Sequence, residues 1–324
     1  MKHVSKRTAA PAFIEPCLAK LVSSEPSGDE WVHEVKFDGY RLQARLENGK
    51  VQLMTRSGLD WTHKFTGIER ALKKLDVTSA IIDGEAIVEN DAGVSDFAML
   101  VGDLKSGVTT RIVYCAFDLL YLNGNKIMQR PLIERKNILQ ALLRDTTKQG
   151  KIRFSQHIAG SGAAMFEEAC KLGLEGIVSK RIDLPYHPGR RGDWLKTKCI
   201  QTDEFIIAGY LPSTVLPKAI GALALGYNKR NRLIYAGRVG TGFDRNLAVE
   251  LWQQMQPRRA KSAPFSTPLD SIQRKGVHWV QPSLVAQVEY RGWTHDKLLR
   301  HASFKGIRED KPASQVTNPD SNFD

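Results

Sequence analysis

A lysine that attacks phosphorus must be held where its amine can lose a proton. The segment Glu34-Val-Lys36-Phe-Asp38-Gly39-Tyr-Arg41 is composed for that: a lysine at a strand end, then a carboxylate, a glycine and an arginine. Free lysine titrates near pH 10.4, so only about one molecule in a thousand is unprotonated near neutral pH. A nucleophilic role therefore needs neighbouring cations, a metal ion or partial burial to depress that value. The bland alternative is a β-turn carrying a surface lysine.

Residues downstream have types suited to the same chemistry. In Trp194-Leu-Lys196-Thr-Lys198 two lysines stand at i and i+2, so an extended backbone projects both from one face. A solvated basic strand is the alternative. Glu175, followed by Gly176, and Glu85 in Asp83-Gly84-Glu85 offer hard carboxylate oxygens to a divalent cation, although an isolated Glu-Gly is equally a turn. Arg56 in Thr55-Arg56-Ser57-Gly58, and Arg308 and Lys311 near the end of the chain, add fixed cations. Phe117 and Val178, taken alone, read as core.

These side chains need a scaffold. The stretch from Glu30 to Arg56 predicts a hairpin of extended runs at Trp31–Lys36, Arg41–Leu46 and Val51–Thr55. Leu42, Ala44 and Leu46 alternate against Arg41, Gln43 and Arg45, and Asn48-Gly49 supplies a tight turn. Helical spacing marks Phe65–Leu75, Pro131–Arg144 and Ala163–Leu172, with Leu132, Ile138, Leu139 and Leu142 as an apolar stripe; Ala80–Val88 and Arg111–Leu122 read as strands. From Glu204 onward short strands dominate, broken by Gly, Pro and Asn turns, with one helix at Arg245–Met255. The prediction is an α+β chain. Residues 1–200 form a domain of antiparallel sheets with helices, residues 201–313 an all-β OB-fold barrel, and residues 314–324 a polar, disordered tail. Arg258–Lys275, rich in Pro, Ser and basic residues, is expected to be an exposed loop.

Composition narrows the partners. The net charge of +12, with pI near 9.5, favours a polyanion, though solubility or an acidic protein would also explain it. No apolar run approaches the roughly 18 residues of a membrane span, and the basic leader at Met1–Arg7 lacks the apolar core of a secretory signal, so a cytoplasmic protein is expected. The four cysteines, Cys17, Cys115, Cys170 and Cys199, form no Cys-x-x-Cys pair; neither a zinc ribbon nor a disulfide framework is expected, and Cys115 and Cys170 read as core thiols.

In order along the chain, Lys36-Phe-Asp-Gly, Thr55-Arg-Ser-Gly, Asp83-Gly-Glu, Phe117-Asp-Leu-Leu, Leu174-Glu-Gly-Ile-Val-Ser-Lys180, Trp194-Leu-Lys-Thr-Lys and Phe304-Lys-Gly-Ile-Arg-Glu-Asp-Lys311 resemble the collinear motifs of the covalent nucleotidyltransferases. With Pro11-Ala-Phe-Ile-Glu-Pro-Cys-Leu18 and Tyr235-Ala-Gly-Arg-Val-Gly-Thr-Gly-Phe243, residues 11–313 resemble the ligase domain of bacterial ligase D, an ATP-dependent DNA ligase of non-homologous end joining.

The resemblance implies an adenylation domain followed by the OB-fold, with ATP as cofactor, AMP carried covalently on Lys36, and Mg²⁺ or Mn²⁺. It implies catalytic roles for Lys36, Arg41, Lys196 and Lys198. Glu34 would contact adenine, Phe117 and Val178 would sandwich it, and Glu85 would bond the ribose. Glu175, with Glu85, would hold the metal. Lys196 and Lys198 would bind the α-phosphate and keep Lys36 neutral. Arg41 and Arg56 would grip phosphates, and Arg308 and Lys311 would orient pyrophosphate after closure of the second domain about a hinge near residues 199–204. The implied partners are nicked or broken duplex DNA and the Ku end-binding protein, with a monomer acting at the bacterial nucleoid. An RNA ligase or capping-type enzyme, or a non-catalytic nucleic-acid-binding relative, stays open as the alternative.

Overall fold

The computed structural model describes residues 10–144 and 150–319, so the basic leader and the last residues of the expected tail lie outside the described residues. The chain divides into two compact units, Met1–Cys199 and Ile200–Asp324. Among the described residues no helix is long and apolar enough to cross a membrane.

Unit 1 runs β1 (Lys20–Leu21), β2 (Trp31–Val35), β3 (Tyr40–Glu47), β4 (Lys50–Thr55), α1 (Thr66–Leu72), β5 (Ser79–Ile87), α2 (Phe97–Lys105) and β6 (Val113–Leu122). There follow α3 (Leu132–Leu143), β7 (Ile152–Phe154), β8 (His157–Ala159), α4 (Gly162–Lys171), β9 (Gly176–Arg181) and β10 (Trp194–Lys198). The strands form two five-stranded sheets, β4-β3-β5-β6-β7 and β1-β10-β9-β2-β8.

The predicted turn between β3 and β4 is there, with Asn48 at φ 49° and Gly49 at φ 78°. The strand at 31–35 is not part of that hairpin. It crosses to the second sheet and pairs with β8 and β9, because Val32, His33 and Glu34 are all buried and need neighbours on both sides. Nor are the sheets purely antiparallel. The α3 crossover returns β7 parallel to β6, as a helix connection permits, and β1 joins β10 in parallel at an edge. Leu42, Ala44, Leu46 and Leu53 bury the inner face of the first sheet with Phe65, Phe97 and Leu139, leaving Arg41, Gln43 and Asp83 on the other.

The cysteine reading is also corrected: Cys170 and Cys199 are joined as a disulfide, their Cα atoms 5.2 Å apart. Spacing in sequence could not show this, because α4 and the end of β10 meet only through β9.

Unit 2 runs β11 (Gln201–Pro212), β12 (Ile220–Lys229), β13 (Arg232–Val239), α5 (Arg245–Met255), α6 (Ser271–Arg274), β14 (His278–Tyr290), β15 (Gly292–Trp293), β16 (Leu299–Arg300) and β17 (Ser303–Ile307). The sheet order β13-β12-β11-β14-β17 is that of an OB-fold, but no ladder joins β13 to β17. The Phe304 N–H donates to the Thr241 carbonyl at 2.9 Å near those edges, and among the described residues no ladder closes them, so the barrel is partly open. The stretch 258–275 is not simply an exposed loop, since Phe265 packs edge-on against Tyr235 and Trp279. The expected tail is docked as far as residue 319: Val316 is buried in this core, and Asn228 bonds the carbonyls of Val316 and Ala313. One anchoring valine in a polar run leaves no periodicity to read.

Gly176, between Glu175 and the body of β9, has φ +151°, and a Cβ there would meet the carbonyl oxygen of Thr197 at 2.0 Å. Gly176→Ala is expected to cost about 1–3 kcal/mol, lowering the Tm of this unit by roughly 2–10 °C. Calorimetry checks this, and an unchanged transition refutes it.

Candidate active site

Ladder register decides which side chains share a face. Across β10, β9 and β2, Lys196 stands opposite Val178 and Val178 opposite Glu34, while Lys198 stands opposite Gly176, whose carbonyl accepts from the Lys36 N–H at 2.9 Å. Side chains two apart on a strand point the same way. Glu34, Lys36, Val178, Lys180, Lys196 and Lys198 therefore occupy one face of the second sheet. His33, Ser179 and Thr197 lie on the other, where His33 Nδ1 and Ser179 Oγ are 2.8 Å apart.

Lys36 Nζ is ion-paired with Glu175 Oε2, whose second oxygen lies 3.9 Å from Lys198 Nζ. Burial alone would push the Lys36 amine down, but Glu175, Asp38 and Glu85 outweigh it and hold the amine above its ordinary range. The expectation that neighbouring lysines keep Lys36 neutral is thus corrected: in this arrangement a carboxylate holds the proton.

Glu34 is also placed differently from expectation. Its carboxylate is 2% exposed, with Oε1 at 2.9 Å from both Lys136 Nζ and Lys180 Nζ, and Oε2 accepting from Ser155 Oγ at 2.7 Å. Burial tends to raise its pKa, but the two lysines bring it below the usual carboxylate range. Lys180 is depressed by burial and by Lys136, with Glu34 opposing. Glu34 is thus the centre of a buried triad and not an open contact for a base.

Arg41, expected at phosphates, is committed to protein. Its guanidinium donates to both oxygens of Asp83 (3.0 and 2.7 Å) and to the carbonyl of Cys17 at 2.7 Å, with Tyr186 OH at 3.2 Å. The planar fork matches a carboxylate in this way, and Asp83 keeps Arg41 firmly charged against the pull of burial. Arg56 follows β4 in a turn that the Gly58 N–H closes on the Thr55 carbonyl at 2.9 Å, just past the last β3–β4 ladder pair, Leu42 with Thr55. Glu85 faces Arg41 across β3 and β5.

Phe117 and Val178 border the same small cluster, formed by Cys17, Ile81, Leu120, Tyr186 and Trp194 among others. Phe117 meets Trp194 edge-on at 5.8 Å, and Lys180 Nζ lies 4.5 and 4.2 Å from those two ring centroids. Asp118, next in sequence, is fully buried and bidentate with the fully buried Arg135 at 2.8 and 2.9 Å, which fixes the backbone beside Phe117. In unit 2, Arg308 is bidentate to Asp310 and donates to Gln287 at 2.7 Å, and Lys311 pairs with Glu204 at 2.9 Å.

Asp83, Tyr186, Arg135, Lys136 and Lys180 were not singled out from sequence. A signal for two of them exists: Arg135 and Lys136 stand with Leu132, Leu139 and Leu143 on the buried side of α3, and charges on an apolar stripe must be paired.

Residues 16–198 match the family described as ATP dependent DNA ligase domain, and residues 217–311 the one described as ATP dependent DNA ligase C terminal region. The chain is 38% identical over 314 residues to the multifunctional non-homologous end joining protein LigD of Pseudomonas aeruginosa, covering 96% of this chain and 37% of that protein. It is 35% identical over 289 residues to the multifunctional non-homologous end joining DNA repair protein LigD of Mycobacterium tuberculosis, covering 89% of this chain and 37% of that protein. The chain thus spans little more than a third of these relatives. A solved structure of mycobacterial DNA ligase D complexed with ATP and MES matches with TM-score 0.67 and 32% identity, over 93% of this chain and 98% of that one.

Two outcomes follow from the charge arrangement. Removing the charge of Glu175 takes away the carboxylate in direct contact with Lys36 that does most to raise its pKa, so Glu175→Gln should make Lys36 more reactive toward an amine-directed acylating reagent at pH 8. Peptide mapping reads this out, and equal or lower labelling would refute it. In the triad one carboxylate serves two lysines. Glu34→Gln should therefore cost about 3–5 kcal/mol, whereas Lys136→Met, which leaves the Glu34–Lys180 pair intact, should cost clearly less. Urea unfolding compares the two, and the reverse order would mean that the carboxylate is not shared.

Proposed function

Because the chain belongs to the ATP-dependent DNA ligase family, we propose that it joins 5′-phosphate and 3′-hydroxyl ends of duplex DNA through a lysyl-AMP on Lys36. The observation that carries this reading is the sheet face on which Lys36, Lys196 and Lys198 line up, with Glu175 bridging the first and the last.

In the proposed first step Lys36 Nζ attacks the α-phosphorus of ATP. Its proton passes to Glu175 Oε2, the P–N bond forms, and the P–O bond to pyrophosphate breaks. Lys196 and Lys198 stabilise the charge that develops on the phosphoryl oxygens. An oxygen of the DNA 5′-phosphate then attacks the adenylate phosphorus, and the Lys36 nitrogen leaves and is reprotonated. Finally the 3′-hydroxyl attacks the activated 5′-phosphate, loses its proton and expels AMP.

Phe117 and Val178 would enclose the adenine and Glu85 would bond the ribose. Arg41 contributes by fixing Asp83 and the Cys17 carbonyl around the pocket, Arg56 is the cation offered to phosphate, and Arg308 and Lys311 would orient the pyrophosphate. Among the described residues no three His, Cys, Asp or Glu side chains are grouped to hold a metal. Glu175 and Glu85 nonetheless suit a hard cation held by one or two carboxylates with phosphate and water completing its shell. Bound, Mg²⁺ or Mn²⁺ would supply charge neutralisation at the phosphate oxygens.

The end-joining relatives extend the proposal to bacterial double-strand-break repair, with ends presented by Ku to a monomeric ligase at the nucleoid. With its excess of cations the chain would hold duplex through phosphates, independent of sequence and sensitive to salt.

Intact mass after incubation with Mg²⁺ and either ATP or GTP tests the reading. An AMP-sized gain is expected with ATP only, and none in Lys36→Ala. A GMP-sized gain would move the reading to a capping-type enzyme. No gain, once any bound AMP has been stripped, would leave a binding protein.

A further inference from the structure

The thiol chemistry of the chain is concentrated in one place. Cys17 and Cys115 are 1% and 2% exposed, and burial pushes both thiols up to about 12, so neither supplies thiolate near neutral pH. Cys170 and Cys199 are half-buried and joined to each other. Their bond spans a sequence separation of 29, and between them lie Glu175, Lys180, Lys196 and Lys198.

The closure bears on Glu175 in particular. Cys170 is in the last turn of α4, and the chain then passes Gly173 (φ +74°), Leu174 and Glu175 before Gly176 (φ +151°). Two glycines with left-handed backbone thus flank the carboxylate that holds Lys36. The backbone N–H of Cys199 donates to the carbonyl of Glu175 at 2.9 Å. The disulfide therefore completes a ring in which the glycine-flanked link is tied at one end covalently to β10 and at the other by that hydrogen bond. Reduced, the link keeps that hydrogen bond, the Leu174 N–H to Ala169 carbonyl bond at 2.9 Å and the ion pairing of Glu175, but loses its covalent tie to Cys199. The Cys199 end is also the last residue of unit 1.

We propose that Cys170 and Cys199 form a reversible thiol–disulfide site that sets the rate at which Lys36 is adenylylated. A disulfide in a reducing compartment is typically transient and regulatory, whereas in an oxidising one it persists. A dithiol reductant is the co-reactant. One of its thiolates attacks a protein sulfur, the S–S bond breaks, and the other cysteine leaves as thiolate and takes a proton. The second reductant thiol then displaces the first cysteine. The protein disulfide gains two electrons and becomes two thiols, and the dithiol becomes a disulfide. An oxidised dithiol reverses the exchange. The oxidised form holds Glu175 against Lys36 and Lys198; the reduced form lets it move. The proposal rests on the reading of Lys36 as the acceptor of AMP.

The test uses the full chain purified without reductant. Alkylation in denaturant should label two cysteines, Cys17 and Cys115, and all four after dithiothreitol. Single-turnover adenylylation, followed by intact mass, should slow roughly tenfold on reduction, well short of the about hundredfold that a 1 Å misplacement can cost. It should recover on reoxidation. Cys170→Ser/Cys199→Ser should match the reduced rate and ignore reductant; reduction of the wild-type chain gives the same comparison should that variant fold poorly. Four labelled cysteines after treatment with oxidised glutathione, or equal rates in both redox states, overturn the proposal and leave the ligase reading standing. Absence of an adduct in every redox state overturns both.

Discussion

A carboxylate shared between two lysines is the interaction on which the catalytic unit depends. Glu175 serves Lys36 and Lys198, and Glu34 serves Lys136 and Lys180. Burying a lysine costs several kcal/mol unless a counter-charge offsets it, so each shared carboxylate ties two buried cations to one point. The pairs Arg41–Asp83 and Arg135–Asp118 instead join one guanidinium to one carboxylate. The arginine forks fix backbone and side chains around Phe117 and Tyr186, and the shared carboxylates gather the lysines on one sheet face.

The ladder turns this electrostatic arrangement into position. Because β2, β9 and β10 are neighbours in register, residues distant in sequence meet in rows: Lys196 with Val178 and Glu34, Lys198 with Gly176 and the backbone of Lys36. A slip of one residue in β9 would send Val178 and Lys180 to the opposite face and bring Ser179 forward. The triad around Glu34 opposes that slip, since it joins β2, β9 and α3 through side chains that satisfy one another only in this register. Gly176 has a related part, admitting the Thr197 carbonyl where any side chain would collide.

Much of this could be read from the sequence, and the limits have physical reasons. The i, i+2 lysines of β10, the Asn48-Gly49 turn and the boundaries of α5 are local features, and they are where period and turn chemistry placed them. The destination of β2 was not, because alternation says that a strand has two faces and not which sheet it joins. The Cys170–Cys199 bond and the Arg41–Asp83 clamp were hidden for the same reason, being contacts that β9 and β5 create. The docking of Val316 was missed because a single apolar residue has no period. Lys136 is a different case. Its place on the stripe of α3 was visible and pointed to a buried partner, which only the fold could identify as Glu34.

The ion pair of Lys36 bears on how such a lysine can be both held and reactive. A neutral amine in a cationic pocket would be nucleophilic but weakly positioned, whereas an ammonium paired with Glu175 is fixed in direction but cannot attack. In the proposed step, direct contact with Glu175 resolves the conflict, because the group that orients Nζ would also be the group that takes its proton. Anionic phosphate beside the pair raises the basicity of Glu175 by like-charge repulsion, but it favours the Lys36 ammonium as well. In the proposed step the attacking species is therefore the minor form of the pair, neutral amine beside carboxylic acid, which the forming P–N bond draws off. The raised pKa of Lys36 in the free protein is compatible with that chemistry, because the acceptor of its proton is already in contact.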